Sequence, residues 1–385
     1  MGNEVLNLDK PAQGRAVIVS ALAIGTIALL MLGLQPILLG GMVDAHSATL
    51  EGVGVIAMSE IIALGLGVAL CDALMPLSPL RIISIVAALW VSTADVATMF
   101  STGDAKLAAV RSVAGLGEGV LLWATTCVIV RSHAPDRIAG IFLVSQTLAQ
   151  AALAAISAGA VVPRVGWQGG FMVLAAVSLL PCLAVAWLPA GVAPLAAQAR
   201  AKFSWSVMAA LPLAIALLQM AAIGALWAYL EPLGKRAGFD AQAAQAVASG
   251  VLLMQVFGGI SAFLFVRRMA TVRTLIVGAL VLGVIPLAIH RLPTGATTRF
   301  ALLCGAFGFA WLFLMPFHIS FAFRADPTGR VAMLIPAMQL LGSAFGPLVA
   351  SLMLHGNDPG PVPYVSSGFA VAATALLCAA QANAG

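Results

Sequence analysis

The stretch RSVAGLGEGV, Arg111 to Val120, lies between the apolar runs KLAAV and LLWATTCVIV. On a helix, its cation Arg111 and its anion Glu118 are seven residues apart, about two turns, and face the same way. Gly115, Gly117 and Gly119 stand between and beside them. Small residues in an apolar helix let a second helix approach closely. An unpaired charge at mid-bilayer costs roughly 3 kcal/mol on insertion scales, so Arg111 and Glu118 must pair or line a wet path. The stretch therefore reads as one helix of a membrane bundle, with a packing face and a polar face.

Composition agrees. Of 385 residues, 62% are hydrophobic and 9% charged, whereas soluble domains carry about 25% charged residues. Apolar runs of about 17 to 25 residues suit helices crossing roughly 30 Å of hydrocarbon, and the ten-residue alternation of a membrane barrel is missing. The net charge of +5 is spread singly or in small groups between apolar runs, which reads as topology rather than as a nucleic-acid surface. The five cysteines fall in apolar runs without CxxC spacing or a nearby histidine, so inert thiols and no metal site are expected. The N-terminus MGNEVLNLDKPAQGR is polar and has neither the short apolar region of a cleaved signal nor a myristoylation pattern.

Reading apolar runs between polar breaks gives twelve helices, at 17–42, 52–75, 81–100, 106–130, 138–162, 167–189, 206–230, 246–266, 274–290, 299–323, 330–355 and 363–382. With the N-terminus inside, Lys10, Arg15, Arg81, Arg131, Arg137, Arg200, Lys202, Arg267, Arg268, Arg273, Arg324 and Arg330 are cytoplasmic. Lys106, Arg164, Lys235, Arg236, Arg291 and Arg299 are then outside. Twelve cations against six place both termini in the cytoplasm of a cell (inner or plasma) membrane. A break at 190–206 separates an N-terminal half, 1–189, from a C-terminal half, 207–385.

The halves repeat. RSHAPDRIAGIFLVSQ (131–146) and RADPTGRVAMLIPAMQ (324–339) both read Arg-x5-Arg-x8-Gln, 193 residues apart, and Gly115 and Gly308 share that offset. QPILLGGMVDA (35–45) and EPLGKRAGFDA (231–241) echo each other at an offset of 196. Several matches near one spacing argue for duplicated six-helix halves related by an axis along the membrane normal.

On these residues the chain resembles the major facilitator superfamily of secondary transporters over nearly its whole length. The family's fourth-helix pattern, Arg-x-x-x-Gly-x-Gly-x-Gly, stands as Arg111, Gly115, Gly117 and Gly119, and GWQGGF (166–171) resembles its Gly-Trp-Arg-x-x-Phe. Of the loop pattern between helices two and three, Asp72 and Arg81 remain as gating candidates, but the usual glycine is Val68 and the basic cluster is missing. The antiporter pattern Gly-x-x-x-Gly-Pro is absent from helix five and appears in helix eleven as GSAFGP (342–347). The resemblance implies an all-α membrane protein of twelve transmembrane helices in two pseudo-symmetric halves, with helices one, four, seven and ten around a central cavity.

Four residues are candidates for proton coupling. Arg111 and Asp95 sit at similar depth on adjacent helices, as an anion or proton-relay site or as a static pair. Glu118 lies deeper, about 16 Å from the outer end, with no opposite charge evident at its level, and is the leading coupling carboxylate. Glu60, about 10 Å deep on helix two, is either a second relay group or a carboxylate bonded to hydroxyls.

Substrate candidates are Gln35, Gln219, Trp227, Trp311 and His318, with Met315 beside them, although aromatic and Met residues at helical spacing are more often core and a buried His more often structural. Gln146 and Gln339 occupy equivalent places whose role the sequence leaves open. Glu231 reads as a cap on the outer end of helix seven, with a cavity-mouth role, from its match to Gln35, as the alternative. Arg111 corresponds to Cys304 and Glu118 to Trp311, so the acidic machinery belongs to the N-terminal half.

The expected function is proton-coupled transport of a small organic solute by alternating access, with a drug-type exporter of amphiphilic or cationic compounds as the alternative. A pump is disfavoured by the lack of a Gly-x-x-x-x-Gly-Lys-Ser/Thr loop, and a membrane enzyme by scattered histidines; a receptor of the same fold is the remaining class. An anionic solute would use Arg111 as its counter-charge, a cationic one Glu60 and Glu118. No cofactor is expected, and the expected partners are solute, protons and membrane lipid, with the chain a monomer.

Overall fold

The computed structural model describes residues 14–75, 79–192, 206–326 and 329–382. Among the described residues, twelve helices are long and apolar enough to cross a membrane: α1 Arg15–Asp44, α2 Leu50–Leu74, α3 Leu80–Met99, α4 Asp104–Ile129, α5 Arg137–Val165, α6 Trp167–Trp187, α7 Val207–Ala228, α8 Ala241–Phe265, α9 Thr271–His290, α10 Thr297–Ala325, α11 Arg330–Leu352 and α12 Val362–Ala382. An even number of crossings puts Arg15 and Ala382 on one face of the bundle, called the termini face. All twelve expected spans are present, several longer by up to five residues at an end. Of the 190–206 break, residues 193–205 lie outside the described residues, as do Lys10, Arg200 and Lys202 from the charge count.

The helices sort by what they touch. Large aliphatic residues more than half exposed, such as Val86 on α3, Leu183 on α6, Val284 on α9 and Val371 on α12, face outward, as lipid-facing helices require. The main apolar core instead joins the halves through α1, α2, α7, α8 and α10, with Leu34, Leu38, Ile56, Leu226, Leu252 and Phe307 wholly buried. Of all the spans, α4, α7 and α1 are the most enclosed.

Glycines set the closest approaches, and they do so twice. A Cβ on Gly115 of α4 would strike the Glu60 carbonyl of α2, and one on Gly308 of α10 would strike the Val251 carbonyl of α8. Likewise Gly67 of α2 lies against the Leu116 carbonyl, and Gly258 of α8 against the Phe309 carbonyl. Each second contact is the first moved on by 191 residues in one helix and 193 in the other, so the sequence repeat is also a repeat of packing.

A helix break at Pro36 carries a polar contact between the halves. Pro36 has no N–H for the carbonyl four residues back, Leu32, and that carbonyl accepts a bond from Trp227 Nε1 of α7 at 2.9 Å. Helix α5 loosens into a π-turn at Ser157–Val161, and α6 is interrupted just before Pro181. At the face opposite the termini, Thr49 caps α2 by accepting from Gly52 N at 2.9 Å, and its own hydroxyl donates to Asp104 of α4 at 2.6 Å.

Candidate functional site

Arg111 is enclosed, and three helices supply carboxylates to it. Nη1 donates to Asp95 Oδ1 of α3 at 2.6 Å, and Nη2 donates to Glu118 Oε1 of its own helix at 3.2 Å and to Glu60 Oε1 of α2. All four side chains are at most 5% exposed. The Phe171 ring of α6 lies 5.2 Å from the guanidinium carbon, a cation–π contact, and Ser178 Oγ donates to Asp95 Oδ2 at 3.3 Å.

The local sequence explains the assembly. Gly115 and Gly119, four apart, face α2 and admit its backbone, while Gly117 meets Val91 of α3. With α2 so close, Glu60 reaches Arg111; with side chains on that stripe it would stand off. Glu118 is a correction to the expectation that it has no partner. Side chains on a helix lean toward its N-terminus, so Glu118 leans back toward Arg111, and the long guanidinium stem covers the rest.

Charge decides what the cluster can do. One guanidinium faces three carboxyl groups, so full ionisation would leave two uncompensated negative charges in a low-dielectric site, which is strongly unfavourable. Glu60 and Glu118 each accept from Nη2 through Oε1, and among the described residues the Oε2 atom of each has no hydrogen-bond partner.

The C-terminal half answers with a neutral network. His318 Nε2 bonds Gln219 Oε1 at 2.7 Å, Gln339 Nε2 donates to His318 Nδ1 at 3.0 Å, and Gln219 Nε2 donates to the Leu275 carbonyl at 3.1 Å. Every amide is used if the imidazole is neutral with its proton on Nε2, a tautomer assigned from the network. Gln219 and His318 thus have their polar atoms occupied, as has Trp227, whose ring also meets Trp311 edge-on at 5.5 Å. Gln35 is buried with Nε2 unpartnered, and Gln146 Oε1 is likewise unpartnered. Asp72 and Arg81 are not brought together: Arg81 Nε donates to the Leu188 carbonyl at 2.6 Å, tying α3 to the end of α6. Phe171 and Gln339 are contributors the sequence reading did not place in a site, although GWQGGF and the repeated Arg-x5-Arg-x8-Gln contain them.

On the face opposite the termini the halves are joined. Lys235, on the short helix Leu230–Arg236 after α7, bridges Asp44 of α1 and Glu231, the latter at 2.7 Å. Glu231, expected to cap the outer end of helix seven, is wholly buried, in a slot that Gly40 of α1 leaves by having no side chain. Burial pushes its carboxyl up to about 7, against the lowering effect of Lys235. Burial pulls the Lys235 ammonium down, but its bonds to Asp44 and Glu231 outweigh this and raise it. Gly356 N donates to Glu51 Oε1 at 2.8 Å, and Gly54 of α2 packs on the Pro347 carbonyl of α11. Toward the termini face the same two helices leave Leu70, Leu74 and Met333 at least half exposed.

No family model and no curated protein matches the sequence. Solved structures do. A mutant of the nucleoside transporter NupG is 14% identical with a TM-score of 0.70, over 94% of this chain and 99% of that one. The xylose transporter XylE from E. coli, in a partially occluded inward-open conformation, is 11% identical with a TM-score of 0.65, over 93% of this chain and 98% of that one. The chain is an integral membrane protein with the major facilitator superfamily fold.

Proposed function

We propose that the protein is a secondary transporter that carries a small organic solute across the cell membrane by alternating access, driven by protons held on the Glu60–Arg111–Glu118 cluster. The observation that carries this reading is one enclosed guanidinium with three carboxyl groups from α2, α3 and α4. Rocking of the halves changes the wetting of such a site, and a carboxyl pair that alternates between dry and wet surroundings gains and loses a proton. The fold is shared with transporters named for a nucleoside and for xylose, which favours transport over catalysis.

The joined face is then the outside, by the cation count, and the conformation is inward-facing. Arg111 is spent on carboxylates, so it offers no counter-charge to an anion. Glu118, with one free oxygen in a mostly apolar surround, favours a neutral or cationic solute, and the exporter reading draws on the same observation. Solute contacts fall to the unpartnered amides Gln35 and Gln146 rather than to Gln219, His318 or Trp227.

The test begins with a thermal-shift screen of purified protein against solute libraries, since a ligand of the folded state raises its melting temperature. With the solute found, proteoliposomes under an imposed proton gradient should accumulate it. Glu118→Gln fixes the neutral form and should abolish accumulation while solute counterflow survives. Accumulation lost in Glu60→Gln but intact in Glu118→Gln would move the coupling group to α2. Normal accumulation in both variants would overturn proton coupling altogether.

A further inference from the structure

Two grooves lie on the lipid-facing surface at equivalent places in the repeat. One, about 580 Å³, runs between α3 and α4 along Val86, Trp90, Ala94 and Val113. The other, about 860 Å³, runs between α9 and α10 beside Met254 of α8. Arg81 and Arg273, 192 residues apart, stand at the starts of α3 and α9. In the first half the cation is tied to the Leu188 carbonyl and does not line the groove, whose wall carries Trp90. In the second half Arg273 itself lines the groove, exposed and with no hydrogen bond or ion pair among the described residues.

The second groove has the chemistry of a headgroup and a chain. Arg267 and Arg268, also exposed and without an ion pair among the described residues, lie on the turn whose Met269 and Ala270 form its mouth. Beyond that mouth the lining is apolar. The one other polar group, the Thr274 hydroxyl, is spent on the Ala270 carbonyl at 3.0 Å. Phe309 and Phe313, stacked at 5.6 Å, make one wall, and Gly278 and Gly305 keep the floor low. The groove follows α9 from Ala270 to Val281, about 16 Å, and its lining continues along α10 to Ala301, near the start of that helix, so it is long enough to seat an acyl chain.

We propose that this groove holds one acyl chain of an anionic phospholipid whose phosphate is bound by Arg273 with Arg267 and Arg268 beside it. Basic clusters at the membrane surface attract anionic headgroups, and three unpaired arginines above an apolar slot supply both halves of that recognition. The site lies on the outer surface of the bundle and does not depend on the transport reading.

Native mass spectrometry of the whole protein tests it, with dioleoylphosphatidylglycerol and dioleoylphosphatidylcholine supplied at equal concentration. The phosphatidylglycerol adduct should be retained several-fold over phosphatidylcholine. The triple variant R267Q/R268Q/R273Q should lose the preference, and Ala306→Trp, which fills the groove from its exposed wall, should lose the adduct. All four positions are exposed or on the groove rim, and matching melting curves in lipid-free detergent check that the variants fold. Equal retention of the two lipids by the unaltered protein overturns the proposal, as does a preference that survives the triple variant. An adduct that survives Ala306→Trp but not the triple variant also overturns it, since headgroup attraction alone would then explain the binding.

Discussion

The two halves share a backbone arrangement and differ in what they bury. Gly115 against Glu60 and Gly308 against Val251 are the same close approach, yet Glu60, Arg111 and Glu118 have Val251, Cys304 and Trp311 as counterparts. The N-terminal half buries an ionic cluster; the C-terminal half buries a neutral chain, Gln219 to His318 to Gln339. Glycine contacts set how near the helices come and tolerate almost any chemistry on the adjoining stripe. Packing and chemistry are therefore separable in this fold, and duplication could keep one while changing the other.

The sharpest way to break that contrast is to remove the centre of each network. Arg111→Met strands three carboxyl groups and should destabilise the protein by on the order of 3–5 kcal/mol. His318→Leu strands only neutral amides, at about 1–3 kcal/mol. Melting curves in detergent compare them, and equal losses would mean the two halves are not different in kind. The shared packing makes a second, smaller demand: Gly115→Ala and Gly308→Ala each press a methyl on a backbone carbonyl, at about 1–3 kcal/mol. A loss at Gly115 alone would show that the repeat is not a packing repeat.

A third contrast concerns Glu231 and its repeat counterpart Gln35, one titratable and one not. The Glu231 carboxyl sits at about 7 when folded against an ordinary value of 4.5, so between those values the folded state holds the extra proton. Stability from this group is complete below about 4.5 and falls as pH rises to about 7, with a slope of about 1 kcal/mol per pH unit. Melting measured from pH 4 to pH 8 should show that decline and its absence in Glu231→Gln. The same slope in both proteins would assign it to another group.

Much of this was legible in the sequence, because it depends on local pattern. Span number follows from apolar runs, and the pairing of Arg111 with Asp95 follows from counting residues to the ends of adjacent helices. Side chains do not sit at the depth of their Cα atoms, and the rest of the site depends on that. Glu118 meets Arg111, two turns away, through the N-terminal lean of helical side chains and the reach of arginine, neither of which residue depth along the helix contains. Glu60 joins the cluster through an approach of α2 that glycines on both helices permit, Gly115 and Gly119 on α4 and Gly67 on α2. Glu231 looked like a surface cap because its slot is the absence of a side chain at Gly40, on another helix. Trp227 was legible in principle: Pro36 always leaves the Leu32 carbonyl open, and a buried indole is a fitting donor for it.

The enclosed guanidinium also sets an order of events while the chain is being made. Synthesis runs from the N-terminus, so α2 and α3 reach the membrane with Glu60 and Asp95 before α4 exists to bring Arg111. Each acid must enter hydrocarbon without its cation, and α4, whose mean hydropathy of 1.5 ties it with α11 as the lowest of the spans, then enters with ionisable groups of both signs. Insertion of α4 is therefore helped by neighbours already in place: the two acids that are a burden to the early helices become the solvent for the later one.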